Sequence, residues 1–174
     1  TRDIAIRFNN RYGDTFVVPE PLISKFGARI MSLDDPTAKM SKSNKNIHSK
    51  INLLDTPSKI KKSIMKAVTD SESEVRYDVE NKPGISNLMT IYNVLSGVEL
   101  SEIEERYRGR GYGDFKKDLV EIIVNTLEPI QKKYNDIIES GEVPKVLKEG
   151  AMRASEVSEA VLKRVKERMG FLMI

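Results

Sequence analysis

The sequence predicts a mainly α protein in which a C-terminal helical bundle follows the last strip of an α/β domain. Two observations about patterning carry this. Up to residue 50, the apolar residues fall in short clusters, Phe16, Val17, Val18, Pro19 and then Ala28, Ile30, Met31, Leu33, which read as a strand end and a strand. Beyond residue 50 the apolar spacing lengthens to that of a helix. A third observation is size: 174 residues, 39% hydrophobic and 32% charged, suffice for one helical domain plus a strip of another. The boundary falls at residue 50, with residues 1–50 as the α/β strip and residues 51–174 as the helical domain.

Each element has its own local signal. Ile4, Ala5 and Phe8, with Asn9 and Asn10 as a stop, read as the back end of an amphipathic helix. Thr56 as N-cap and Pro57 at the first helical position open a helix with Ile60, Ile64, Ala67 and Val68 on one face. Ile85, Leu88, Met89, Tyr92 and Leu95 form the next helix, closed by Gly97. Ser101 and Glu104 have the spacing of a capping box for a short helix through Tyr107. Gly109, Gly111 and Gly113 make a basic turn with Arg108 and Arg110. Asp114 then caps a long helix with Phe115, Leu119, Ile122, Ile123, Ile130, Tyr134, Ile137 and Ile138 inward and a kink at Pro129. A last helix from Pro144 to Met169 carries the stripe Val146, Leu147, Ala151, Ala154, Val157, Val161 and Val165, read as core.

Composition excludes several classes of function. With no cysteine there is no disulfide framework and no thiolate metal site, which suits a cytoplasmic protein. His48 is the sole histidine, so neither a histidine-based triad nor a multi-histidine metal site can be assembled, and the adjacent acids Asp34 and Asp35 read as a turn. No protein-bound metal is expected. No apolar run approaches the roughly 20 residues that span a bilayer.

Charge is unevenly spread. From Lys39 to Lys66 eight lysines face one acid, Asp55, so this stretch carries +7 while the net charge is +3. A polyanion is the natural counterpart of such a run. At its head stand Lys39, Met40, Ser41, Lys42 and Ser43. Two ammonium groups three residues apart can reach one polyphosphate, the hydroxyls of Ser41 and Ser43 can donate to it, and Met40 is a pliable apolar contact for a base. Apart from Met40 the loop has no apolar anchor, so bound phosphate is expected to order it.

That pentapeptide resembles the phosphate loop of class I aminoacyl-tRNA synthetases. The likeness extends through Thr1, Arg2, Asp3 with Phe8, Asn9; Gly27, Ala28, Arg29, Ile30, Met31; Ala67 to Ser71; Arg76, Tyr77, Asp78; Lys82 to Leu88; and Gly111, Tyr112, Gly113 before Phe115, Lys116. With these the chain resembles the bacterial tryptophanyl-tRNA synthetase family from end to end. The stretch from Lys82 to Leu88 points to the tryptophan rather than the tyrosine branch. The family's first signature, related to His-Ile-Gly-His, and its Gly-x-Asp-Gln element do not occur here, so the chain reads as the C-terminal portion of such a protein.

The resemblance implies a Rossmann-like nucleotide domain, of which residues 1–50 are the final strip, and ATP-dependent activation of tryptophan followed by transfer to its tRNA. It implies Lys39 and Lys42 as catalytic charges, and Ile30, Lys39, Met40, Ser41, Lys42 and Ser43 as the ATP contacts, with Mg2+ arriving on ATP. Relatives often continue the pentapeptide with Asp and Pro where this chain has Asn44 and Lys45. In the helical domain, Arg108, Arg110, Lys116 and Lys117 with Tyr107 and Tyr112 are the candidate tRNA contacts. The expected partners are ATP, tryptophan and the tRNA for tryptophan, with no membrane, and the full-length protein is expected to be a homodimer. The portion alone is expected to be inactive. The competing reading is a non-catalytic helical RNA-binding module.

Overall fold

The computed structural model describes residues 1–23, 27 and 29–172. Six helices occur among these residues: α1 Arg2–Tyr12, α2 Pro57–Lys66, α3 Pro83–Ser96, α4 Leu100–Arg106, α5 Tyr112–Ser140 and α6 Val143–Met169. The chain divides into two compact units, Ser24–Asn135 and a second made of Thr1–Ile23 with Asp136–Ile174.

The Ser24–Asn135 unit holds α2, α3, α4 and most of α5 around one core. Thr56 caps α2 as its spacing requires, its side chain accepting from the Lys59 amide, with Pro57 in the first turn. Ile60, Ile64 and Ala67 point into the core, whereas Val68, just past the helix end, is exposed. α3 is the most enclosed helix, every residue from Gly84 to Met89 being buried, and Gly97 in the left-handed conformation ends it. Gly84 is required by contact: a Cβ there would meet the Val68 carbonyl oxygen at 2.3 Å. Between α3, α4 and α5 the rings of Tyr92 and Phe115 stack at 5.8 Å, with Tyr107 edge-on to both.

Four local expectations are corrected here. No strand forms over Ile30–Leu33, where a single antiparallel bridge joins Met31 to Lys39; Ala28 lies outside the described residues. The segment finds its backbone partners in its own following loop and in a side chain of α3, so the ladder stops after one bridge. α4 starts two residues early, with Glu99 rather than Ser101 as its N-cap and no side-chain bond from that cap. Glu104 is drawn away to accept the Tyr77 amide at 2.7 Å, so no capping box closes. Finally, α5 begins at Tyr112, placing Asp114 in its first turn rather than at its cap; Pro129 lies inside this helix.

In the second unit, α1 runs two residues beyond Asn10 and stops at Gly13. Asn9 does not end the helix; its carboxamide accepts from the Thr15 and Phe16 amides and donates to the Phe16 carbonyl, tying down a bend where a strand end was expected over residues 16–19. The Phe8 ring packs against both Tyr12 and Phe16. α6 starts one residue before the expected Pro144 and ends at Met169 as expected, but buries none of its residues: Val146, Leu147 and Val157 are 62%, 67% and 69% exposed. Ile130, Tyr134, Ile137 and Ile138 of α5 are exposed as well, so these stripes are not core. The 3.6-residue period shows that a helix has an apolar face, but carries no information about what covers it.

Candidate nucleotide site

The site is built on a short hairpin. The Met40 amide donates to the Ile30 carbonyl at 3.0 Å and the Ser32 amide to the Ala38 carbonyl at 2.8 Å, closing a turn over Asp34, Asp35, Pro36 and Thr37. Asp35 holds that turn by accepting from both the amide and the hydroxyl of Thr37, and the hydroxyl keeps its carboxyl below the ordinary range. Asp34 is kept low chiefly by the Ser32 hydroxyl, and its other oxygen accepts from the Asn46 side chain at 2.6 Å. The two acids of the turn are thus structural. Asp34 ties the far end of the lysine loop to its base.

Beyond Met40 the loop is held by polar bonds alone. The Ser41 and Ser43 hydroxyls lie 3.0 Å apart, and the Asn44 amide donates to the Ser41 carbonyl. Asn44 accepts the Asn46 amide through its side chain, and its carbonyl accepts from Lys50 Nζ at 2.6 Å. Here Asn44 acts as a latch for the loop. His48 is half-buried with Nδ1 3.4 Å from the Ser63 hydroxyl, a packed imidazole at the loop's return.

On one side of the hairpin lies an open cleft of about 350 Å³, lined by Gly27, Ile30, Lys39, Met40, Lys42, Lys50, Ile51 and Asn52. Ile30, Met40 and Ile51 make its floor and pack on the hydrophobic core behind them. Lys39, Lys42 and Lys50 stand around it. Lys39 and Lys42 are exposed, and neither makes an ion pair among the described residues. The structure brings Ile30, Lys39, Met40 and Lys42 together in the cleft lining, while Ser41 and Ser43 are exposed on the same loop outside it. Lys50 was not singled out by sequence, being one of eight lysines in a basic run. Its position at the loop's return, next to apolar Ile51, is the signal that marks it.

The candidate RNA contacts separate. Arg108, Arg110 and Lys117 are exposed, but Arg108 pairs with Glu105, and both Arg110 and Lys117 lie near Asp114 at 3.8 and 3.1 Å. Lys116 does not join them: it is buried, donates to the Ala67 carbonyl at 2.8 Å, and burial lowers its pKa. Successive residues of a helix are turned by only about 100°, so Lys116 shares the inward half of α5 with Phe115 while Lys117 turns outward. Nor are the tyrosines free to stack. Tyr107 is 1% exposed and donates to Asp118, and the Tyr112 hydroxyl is taken by Asp70.

Lysines gathered over an apolar floor, on a hairpin loop with no carboxylate in the lining, offer the charge and the surface that a polyphosphate requires. The match to known proteins narrows this: the family described as class I tRNA synthetases (W and Y) matches residues 1–128, and the chain belongs to that family. It is 58% identical over 173 residues to the tryptophan–tRNA ligase of Caldanaerobacter subterraneus subsp. tengcongensis, covering 99% of this chain and 53% of that protein. Among solved structures, the tryptophanyl-tRNA synthetase of Mycoplasma pneumoniae superposes with a TM-score of 0.89 at 30% identity, over 98% of this chain and 52% of the other. The Campylobacter jejuni tryptophanyl-tRNA synthetase, solved with ADP and tryptophan, matches with a TM-score of 0.65 at 30% identity, over the same shares. The chain spans about half the length of these relatives. Among the described residues no helix is long and apolar enough to cross a membrane, and no group of three or more His, Cys, Asp or Glu side chains is placed to hold a metal.

Proposed function

We propose that the chain supplies the phosphate loop and the tRNA-binding helices of a tryptophan–tRNA ligase. Residues 1–50 contribute to its nucleotide-binding domain and residues 51–174 hold the tRNA. The relatives' common activity favours this over a non-catalytic RNA-binding module. The observation that carries it is the cleft where Lys39, Lys42 and Lys50 surround Ile30, Met40 and Ile51.

In this reading the base lies on the apolar floor and the phosphates lie among the ammonium groups. A tryptophan carboxylate oxygen attacks the α-phosphorus, the bond to the bridging oxygen breaks, and pyrophosphate departs with the electron pair. Negative charge grows on the departing group. Lys39 and Lys42 stabilise it there, and the reaction needs positioning and charge rather than a protein nucleophile. Mg2+ enters bound to ATP. The tryptophan pocket belongs to the half of the relatives that this chain does not span. The full-length protein works in the cytoplasm as a homodimer.

The test is ATP–pyrophosphate exchange with tryptophan by the full-length protein. Lys42→Ala should lower turnover on the order of a hundredfold or more while leaving tryptophan affinity unchanged, because the charge acts mainly in the transition state. Residues 1–174 alone should show no exchange. Turnover untouched in Lys42→Ala would overturn the assignment.

A further inference from the structure

We propose that Asn87 is a positioning residue for nucleotide activation, acting through Met31 on the lysine loop. This rests on the reading of the Lys39–Lys42 cleft given above. Asn87 Oδ1 accepts from the Met31 amide at 2.8 Å and Asn87 Nδ2 donates to the Met31 carbonyl at 2.9 Å. Both polar groups of one backbone residue are therefore satisfied by one side chain, from 56 residues away. In a sheet a neighbouring strand would do this, and here the carboxamide takes the strand's place.

The support behind Asn87 is rigid. It sits in the most enclosed helix, is 7% exposed, and lies one turn from Gly84, where α3 presses against the Val68 carbonyl. In front of it, Met31 bridges to Lys39 and the neighbouring Ile30 carbonyl accepts from Met40. A continuous line of contacts runs from the core through Asn87 and Met31 to the first lysine of the loop and to two floor residues of the cleft. Only a carboxamide of this length fits. Aspartate has the acceptor without the donor, leucine has neither, and glutamine is longer by one methylene. Releasing Met31 would let Lys39 and the Ile30 backbone drift, and misplacement of reacting groups by about 1 Å can lower turnover about a hundredfold.

The experiment uses the full-length protein with Asn87→Asp and Asn87→Leu, each also combined with Lys39→Ala. Exchange turnover should fall about 10- to 100-fold in both single variants, with KM for tryptophan unchanged. In the Lys39→Ala background most of that loss should vanish, since a loop without its first lysine gains little from being held in place. Effects that simply multiply, a matching rise in KM for tryptophan, or unchanged turnover would each overturn the proposal. Should the variants not fold, the wild-type Met31 amide decides: protection from hydrogen exchange like that of α3 supports the proposal, and exchange as fast as in an exposed loop overturns it. Loss of exchange in Lys42→Ala together with normal turnover in Asn87→Leu would sink this inference and spare the reading of the cleft. Normal turnover in Lys42→Ala would sink the reading itself.

Discussion

The Lys82 ammonium and the Asp70 carboxylate are joined twice, directly at 3.3 Å and through the Tyr112 hydroxyl, which donates to Asp70 at 2.7 Å and lies 3.2 Å from Lys82 Nζ. Lys82 is 2% exposed, pairs also with Glu72, and immediately precedes α3. Its charge gathers the loop after α2, the start of α3 and the start of α5 into one knot. Burial opposes the charged form, but the bonds to Glu72, Tyr112 and Asp70 outweigh it and raise the lysine pKa. Lys82→Met should destabilise the fold by about 2–3 kcal/mol, because Asp70 loses a charged partner in a half-buried place. Denaturant unfolding of the variant and the wild type measures this; equal midpoints would refute it.

The same knot sets an alkaline limit. Burial and the Asp70 acceptor push the Tyr112 phenol up to about 12, against an ordinary value of about 10. A group whose folded pKa is raised contributes stability that is fully present below its unfolded pKa and is lost as pH rises through the folded one. Stability should therefore fall between about pH 10 and 12, and Tyr112→Phe should make that fall shallower. Unfolding free energies across this range, beside the phenolate absorbance of Tyr112, give the answer. An equally steep decline in the Phe variant would exclude Tyr112 as its source.

Gly84 offers a test of packing free of charge. A methyl group there meets the Val68 carbonyl at 2.3 Å and Thr69 Cα at 3.2 Å, both backbone atoms that cannot turn aside. Gly84→Ala gains helix propensity yet should lower stability by about 1–3 kcal/mol through overpacking. A thermal melt at or above the wild-type temperature would show that the Val68 segment yields more easily than this geometry allows.

For RNA the structure revises the variant to be made. Salt titration of tRNA binding by the protein should show a slope that becomes shallower in an Arg108→Ala, Arg110→Ala, Lys117→Ala triple variant, since these exposed charges would displace counterions from phosphates. Lys116→Met should leave the slope unchanged, because that ammonium is spent on the Ala67 carbonyl inside the core. A slope lowered by Lys116→Met but not by the triple variant would invert this picture.

The lysine loop should respond to nucleotide through its latches. Asn46 to Asp34 and Lys50 to Asn44 are its longest-reaching bonds, and both are exposed to competition from water. Amide exchange from Ser41 to Asn46 should slow when ATP is added to the full-length protein, with Lys50→Met starting faster than wild type. Identical exchange with and without ATP would separate the loop from nucleotide binding.

Residues close in sequence were enough for much of this protein. The pair Lys39 and Lys42, the opening of α2 at Thr56 and Pro57, the end of α3 at Gly97 and the apolar rhythm of Ile85, Leu88 and Met89 are all decided within a few positions, by reach, dihedral preference or period. Tertiary structure decided where partners come from far along the chain. Asn87 lies 56 residues from Met31, Lys116 49 from Ala67, and Tyr112 42 from Asp70. Each is a polar residue that sequence alone places on a surface, and each is drawn inward because burial leaves a backbone or charged group that must find a partner. The reverse holds for α6, whose valine stripe has a regular apolar period and lies exposed along this chain. Periodicity fixes a helix and its apolar face through local geometry, whereas burial of that face depends on whatever second surface meets it.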